Sequence, residues 1–298
     1  MVPLLNYGEY VKKYILGLVL LLSQATFAAL KHVPVTLSKD NMLVLNDPFE
    51  ADTASKVAQA ARELDAKSPS NEPIYLVLDT PGGSISAGME LITNLNNLNR
   101  PVHTITIFSA SMGFQTVQGV KGDRLMVEHG TLMSHKARGG VNGEFPGQLD
   151  SRYSWILSVV TDLDKKVASR TGGKHTLQSY QALIENEYWC TPEHCASNGL
   201  IDGIADVKCD ASLNGTHDKV VDQAAFLDMT LQLVAKLSDC PVITGPLEMN
   251  VLVNGKNVFK NSVDKPDFTA EQAKAINDFN IKAQKLILDG RKIDYYRK

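Results

Sequence analysis

Residues 101–114 read PVHTITIFSASMGF. An apolar, β-branched run from Val102 to Phe108 gives way at once to Ser-Ala-Ser-Met-Gly, and the letters that follow have helical character. β-Branched and aromatic residues favour a strand, and small residues leading into a helix make a sharp corner at its carboxyl end. In α/β enzymes such corners present reactive side chains. Ser111 is therefore a candidate nucleophile. The same letters also fit a packed turn of small residues, so the neighbouring sequence must decide.

Upstream, PIYLVLDT (73–80) is a second buried strand, and PGGSISAGMELITNLNNL (81–98) is a glycine-rich turn opening a helix. Gly82 and Gly83 sit at that junction, where backbone N–H groups can point at developing negative charge. Ser111 lies 28 residues beyond Gly83, one strand–helix–strand unit along the chain. Strands so connected often neighbour each other, which brings the two corners to one mouth. His135, in LMSHKA (132–137), comes 24 residues after Ser111 and is the candidate general base. A lone histidine is more often structural. Beside a serine and a glycine pair at strand ends, it reads as catalytic.

The wider pattern agrees. EADTASKVAQAARELDAK (50–67) puts Val57, Ala60, Ala61 and Leu64 on one helical face, and DRLMVEHGTLMSH (123–135) reads as two short strand-like pieces. A long amphipathic helix is expected over about 145–169, with Gly172 at its end, and a short one over LQSYQALIEN (177–186). TPEHCASNGLIDGIADV (191–207) reads as a helix, a glycine turn and a closing strand. Alternation of strand and helix from about residue 55 to 207 implies an α/β fold of βαβ units around a mostly parallel sheet.

From about residue 212 the pattern changes. DKVVDQAAFLDMTLQLVAKL (218–237) is expected as a helix, and MNVLVNGKNVF (249–259) as a hairpin turning at Asn254-Gly255. TAEQAKAINDFNIKAQKLIL (269–288) is expected as a helix opened by a capping box of Thr269 and Gln272. The chain thus divides into 1–28, a core over 29–211, and a helix–hairpin–helix extension over 212–298 that carries no catalytic signature.

The chain has 298 residues, 44% hydrophobic and 21% charged, enough for a substantial core. With a net charge of -3 and no basic run interleaved with aromatics, nucleic acid is set aside as a partner. The first residues have Lys12 and Lys13, an apolar stretch from Ile15 to Leu22, and small residues running to Ala28. That is the layout of a secretory signal peptide cut after Ala28, since the apolar stretch is far shorter than the roughly 20 residues a spanning helix needs. An uncleaved anchor is the alternative. Four cysteines in an exported chain imply two disulfides, and proximity favours Cys190–Cys195 and Cys209–Cys240. A metal site of Cys190, His194 and Cys195 fits no standard zinc spacing, and no metal or cofactor is expected.

Taken together, these motifs resemble the proteolytic subunit of the Clp protease, within the wider Clp-protease/crotonase fold. PGGSISAGM is similar to that family's oxyanion loop, SASMGF to its nucleophile corner, LMSHKA to its histidine segment, and YWCTPEHCASNGLIDGI to its third segment. The resemblance covers roughly residues 72–207. It implies Ser111 as nucleophile, His135 as general base, and Gly83 and Met112 as donors of the oxyanion-hole N–H groups. Counted back from TPE, the family's aspartate falls on Asn186. An asparagine can orient a histidine but cannot supply charge to imidazolium. The third role is open between Asn186, a neighbouring Glu185 or Glu187, and no competent residue.

The family's cytosolic barrel is fed by an ATP-driven unfoldase through an N-terminal hairpin, and this chain has its export signal there. The resemblance, so modified, implies an exported, ATP-independent serine peptidase of short or unfolded peptides, forming homo-oligomeric rings through the 145–169 helix, with ARGGVNGEFPGQ (137–148) at the ring junction. The alternative is a ring-forming binding or assembly protein whose triad is impaired. A Ser-Lys peptidase, similar to signal peptide peptidase A, would need Lys136 or Lys121, and neither lies where that likeness places its lysine. Acyl-CoA chemistry of the crotonase kind would leave Ser111 and His135 as coincidences.

Overall fold

The structure, a computed structural model, describes residues 30–67, 72–226, 228–257 and 268–288. The expected signal segment, 1–28, lies outside the described residues.

The core is a mixed sheet. Its strands are β1 (His32–Leu37), β2 (Met42–Leu45), β3 (Ile74–Thr80), β4 (Val102–Ala110), β5 (Arg124–Ser134), β6 (Tyr188–Cys190) and β7 (Gly203–Cys209). They run in the order β1-β7-β5-β4-β3-β2, every one of those neighbours parallel, while β6 pairs antiparallel with β5. Parallel strands buried on both faces need near-continuous apolar runs. β3 meets that demand with Ile74, Leu76, Val77 and Leu78, none of them exposed at all. The sheet is thus the parallel α/β core that the alternating pattern implies. β5 is one strand, yet its pairing with β4 slips between Thr106 and Phe108, which is why its sequence reads as two pieces.

Helices α1 (Ala51–Lys67), α2 (Ile85–Asn96), α3 (Met112–Gly119), α4 (Gly147–Ser169), α5 (Leu177–Leu183) and α6 (Pro192–Ser197) make the connections. α1 buries Val57, Ala61 and Leu64 as its spacing requires. α4 behaves differently. Of its 23 residues only Asp164, Val167 and Ala168 are buried, while Tyr153 and Trp155 stand 57% and 65% exposed.

Beyond β7 the expected first helix is not there. Residues 218–237 instead form most of an antiparallel pair, β8 (Thr216–Phe226) and β9 (Met229–Ser238), turning between Phe226 and Met229. The reason lies in the period. Met229, Leu231 and Leu233 are buried with Thr230 and Gln232 half-exposed between them, an alternation of two that suits a strand. Dense apolar residues on both sides of the turn give a misleading helical face. β10 (Glu248–Val253) and β11 (Lys256–Asn257) complete a four-stranded sheet, and the Asn254-Gly255 turn has the two positive φ values, 50° and 77°, that a tight hairpin needs. α7 (Ala270–Leu288) opens with the expected capping box: Gln272 N–H donates to Thr269 Oγ1 and Thr269 N–H to Gln272 Oε1, at 3.2 and 2.9 Å. Its Ile276 and Phe279 pack on Leu231, Leu233, Val251 and Val253. The extension is a sheet covered by one helix.

Candidate active site

β3, β4 and β5 are adjacent and parallel, so their carboxyl ends open at one edge of the sheet. The register sets Thr80 beside Ser109 and Ala110 beside Met133. Gly82-Gly83, Ser111 and His135 each follow one of those ends, and three sites far apart in sequence converge.

The glycine corner is tightly determined. Thr80, fully buried, donates from Oγ1 to the Asp47 carbonyl at 2.7 Å and accepts the Gly82 N–H at 3.2 Å. Gly82 and Gly83 have φ of 94° and 144°. A Cβ on Gly82 would come within 2.6 Å of the Ser111 Cβ, and one on Gly83 within 2.5 Å of the Phe49 carbonyl. Only glycine fits such an approach. Ser84 then caps α2 by accepting the Ala87 N–H.

Ser111 itself has φ 56° and ψ −116°, a strained conformation for a residue with a side chain. Its N–H is spent on the Met133 carbonyl at 3.0 Å, and its carbonyl accepts from Gln115 as α3 begins. Met112 is the first residue of that helix, so its N–H has no intrahelical acceptor and carries positive dipole character beside the cavity that Met112 lines. Ser111 Oγ lies 2.8 Å from His135 Nε2. The strand end carrying His135 is fixed by the preceding residue, Ser134, whose Oγ shares a 2.7 Å hydrogen bond with the buried Tyr180 hydroxyl.

The other side of the ring is less complete. Among the described residues the buried His135 Nδ1 has no hydrogen-bond partner, so neither Asn186, Glu185 nor Glu187 bonds to it. Burial, then the Arg138 guanidinium, holds the His135 pKa below its usual 6.5, against an opposing pull from Glu187 and from the Lys136 backbone. The Lys136 backbone acts on the ring without meeting hydrogen-bond geometry at Nδ1. Glu187 pairs with Arg138 at 2.9 Å, and Glu185 pairs with Lys136. β6 pairs Met133 with Trp189 and Ser134 with Tyr188. The ladder ends there, and one further step of it would set Glu187, rather than Asn186, opposite His135. Glu187 also has a positive φ, 71°, rare for such a side chain.

Neither lysine bonds to Ser111, whose hydroxyl is paired with His135. Lys136 is engaged by Glu185, and Lys121 Nζ donates to the Asn96 carbonyl. Both favoured disulfides are present, Cys190–Cys195 and Cys209–Cys240. The first occupies the sulfurs that a metal site with His194 would need, and it ties β6 to α6 behind the Glu187 turn. Two disulfides mark a non-reducing compartment. Among the described residues no helix is long and apolar enough to cross a membrane.

A cavity of about 240 Å³ opens at Ser111, bounded by Gly83, Met112 and His135 on one side and by Gln115, Val160 and Asp164 on the other. Asp164 and Arg138 are the site residues that the sequence does not announce. TDLDKK has the polar letters of a solvated helix face, yet Asp164 is buried and accepts a hydrogen bond from Gln181 of α5.

The Clp protease family model matches residues 28–208, which takes in the whole parallel sheet except its last residue and leaves out the second sheet. The ATP-dependent Clp protease proteolytic subunit of Streptococcus suis is 33% identical over 174 residues, 57% of this chain and 87% of that protein. The proteolytic subunit 2 of Synechococcus sp. is 28% identical over 172 residues, 57% and 85% of the two chains. Subunit 1 of Prochlorococcus marinus is 26% identical over 174 residues, 58% and 87%.

Proposed function

The chain belongs to the Clp protease family, and on that premise we propose that it is an exported serine peptidase acting on short or unfolded peptides without ATP. Ser111 Oγ attacks the peptide carbonyl carbon while His135 Nε2 takes its proton. The N–H groups of Gly83 and Met112 receive the oxyanion, each such donor contributing on the order of 3 kcal/mol to lowering the barrier. The imidazolium returns the proton to the leaving amine, and water, activated by the same histidine, releases the acyl group from Ser111. The carrying observation is the 2.8 Å contact between His135 Nε2 and Ser111 Oγ beside the Gly82-Gly83 turn. A lowered His135 pKa keeps the ring neutral, and able to accept a proton, at neutral pH.

For the third role, the strand register and the pull on the His135 charge favour Glu187, and Asn186 is the neutral alternative. Export draws its support from the two disulfides and the signal-like first residues. Compartments outside the cytosol generally lack ATP, hence the independence from an unfoldase. The exposed apolar residues of α4 support self-association into a ring. The test is labelling by a serine-directed fluorophosphonate with Ser111→Ala as control. Labelling confined to the parent chain supports the assignment, and its absence from both removes it.

A second reading rests on the unpartnered Nδ1 of His135. A histidine with nothing to hold its tautomer is a weak base, and the chain would then be a ring-forming binding or assembly protein on the same fold. Lack of serine reactivity in a folded, oligomeric chain is its signature.

A further inference from the structure

We propose that Asp164 makes this peptidase select a basic side chain, arginine or lysine, on the residue whose carbonyl Ser111 attacks. The inference rests on the peptidase reading of Ser111 and deepens it. Asp164 comes from α4 and lines the same cavity as Ser111 and His135. It is only 6% exposed. Among the described residues its one hydrogen bond to another side chain comes from the neutral Gln181, whose Nε2 donates to Oδ2 at 3.0 Å.

A buried carboxylate ordinarily has a cation against it, because an unpaired buried charge is costly. Among the described residues no cation lies within salt-bridge distance of Asp164. Arg138 lines the cavity but pairs with Glu187, and Lys136, whose field reaches Asp164, pairs with Glu185. Burial therefore pushes the Asp164 pKa up, with Gln181 and the field of Lys136 only partly opposing it.

A substrate cation would supply the missing partner. The walls suit such a guest, since Ile85, Val160 and Leu163 offer an apolar path for the methylene stem of lysine or arginine while Asp164 receives the charged head. The side chain that enters is set by connectivity. The attacked carbonyl carbon is bonded to the Cα of its own residue, so the cavity holding the oxyanion donors Gly83 and Met112 receives that residue's side chain first.

The experiment compares two fluorogenic peptides identical except for arginine or leucine at that position, with the active-enzyme concentration set by fluorophosphonate titration of a separate aliquot. The parent is expected to favour arginine in kcat/KM by about 10- to 100-fold, the range of a charge-assisted hydrogen bond. Asp164→Asn keeps the shape and the bond from Gln181 while removing the charge, and the arginine-to-leucine ratio is expected to fall to near one. A purely structural Asp164, tying α4 to α5, would move both substrates together and leave the ratio intact; that result overturns the proposal. Should the variant not fold, the parent's inhibition by arginine and leucine peptide aldehydes decides the same question. A parent that labels normally but prefers leucine sinks the basic preference alone. A parent that does not label sinks the peptidase reading and the preference with it.

Discussion

The two faces of the His135 ring are built from different materials. On the Nε2 face, Ser111, Gly82, Gly83 and Met112 are fixed by three adjacent parallel strands, a buried threonine and two positive-φ glycines. On the Nδ1 face, residues 185–187 hang between α5 and the three-residue β6 and are tied down by two surface ion pairs. Exposed pairs of that kind contribute about 0 to 1 kcal/mol each. Ser111 and His135, the proposed nucleophile and base, are thus held by the sheet, while the group proposed to orient the base is an attachment to it. The sheet face should be brittle to substitution, and the attached face tunable.

The largest effect is expected at Ser111. Ser111→Ala should abolish peptide-ester hydrolysis, a fall on the order of 10⁴-fold or more, and His135→Ala should bring it near background. The melting temperature should barely move for Ser111→Ala. Undiminished hydrolysis in the purified variant would falsify the nucleophile assignment.

Gly82→Ala comes next. Its Cβ would lie 2.5 Å from the Ala110 carbonyl oxygen and 2.8 Å from the Met112 nitrogen, at φ 94°. The corner must shift, and with it an oxyanion donor, so kcat should fall by about 10² to 10³-fold together with some loss of thermal stability. Full activity in a folded Gly82→Ala chain would show that the corner is not the oxyanion site.

The same contrast explains what is legible in the sequence alone. Ser111, His135 and Gly82-Gly83 are legible because each follows an apolar run, and parallel neighbours align their carboxyl ends by topology alone. The hairpin turn at Asn254-Gly255 and the Thr269–Gln272 cap are local chemistry and equally legible. Residues 218–237 are not. Their apolar letters satisfy a helical face and a strand alternation at once, and tertiary pairing with β10 makes the choice. Asp164 is hidden, and Glu187 stays one of several choices, for another reason: their meaning depends on the short pairing of β6 with β5 and on the contact of α5 with α4, neither of which leaves a local mark.

Smaller, opposed effects should appear on the Nδ1 face. Activity needs a neutral His135, so it is lost as pH falls through the His135 pKa, which lies below 6.5. Arg138→Ala removes a cation that disfavours imidazolium; the pKa rises and the acid limb moves to higher pH. Glu187→Gln removes the anion that favours imidazolium, so the limb moves to lower pH, and turnover should drop by about 10-fold if Glu187 steadies the charge formed in the reaction. A pH profile of kcat/KM for the two variants checks the signs. Shifts in the same direction would mean that neither group addresses the ring.

The smallest effect is expected at Asn186. In a fully formed triad, exchanging the aspartate for asparagine lowers turnover by about 10⁴-fold, so Asn186→Asp would give a large gain if Asn186 occupied that place. Among the described residues Nδ1 has no partner, however, and the β5–β6 register, carried one step past Ser134–Tyr188, would bring Glu187 across from His135 and leave Asn186 one residue away. A new carboxylate there acts on the ring only through space, from a segment that already carries Glu185 and Glu187 and is open to screening by solvent and salt. The expected outcome is a gain of no more than about threefold, smaller at high ionic strength, measured as kcat on a peptide ester. A rise of a hundredfold or more would move the third role from Glu187 to Asn186 and would mean that the segment rearranges around the ring when the charge is restored. No change in Asn186→Asp, joined to no change in Glu187→Gln, would leave His135 working without an orienting group, and the attached face would then have no part in the chemistry.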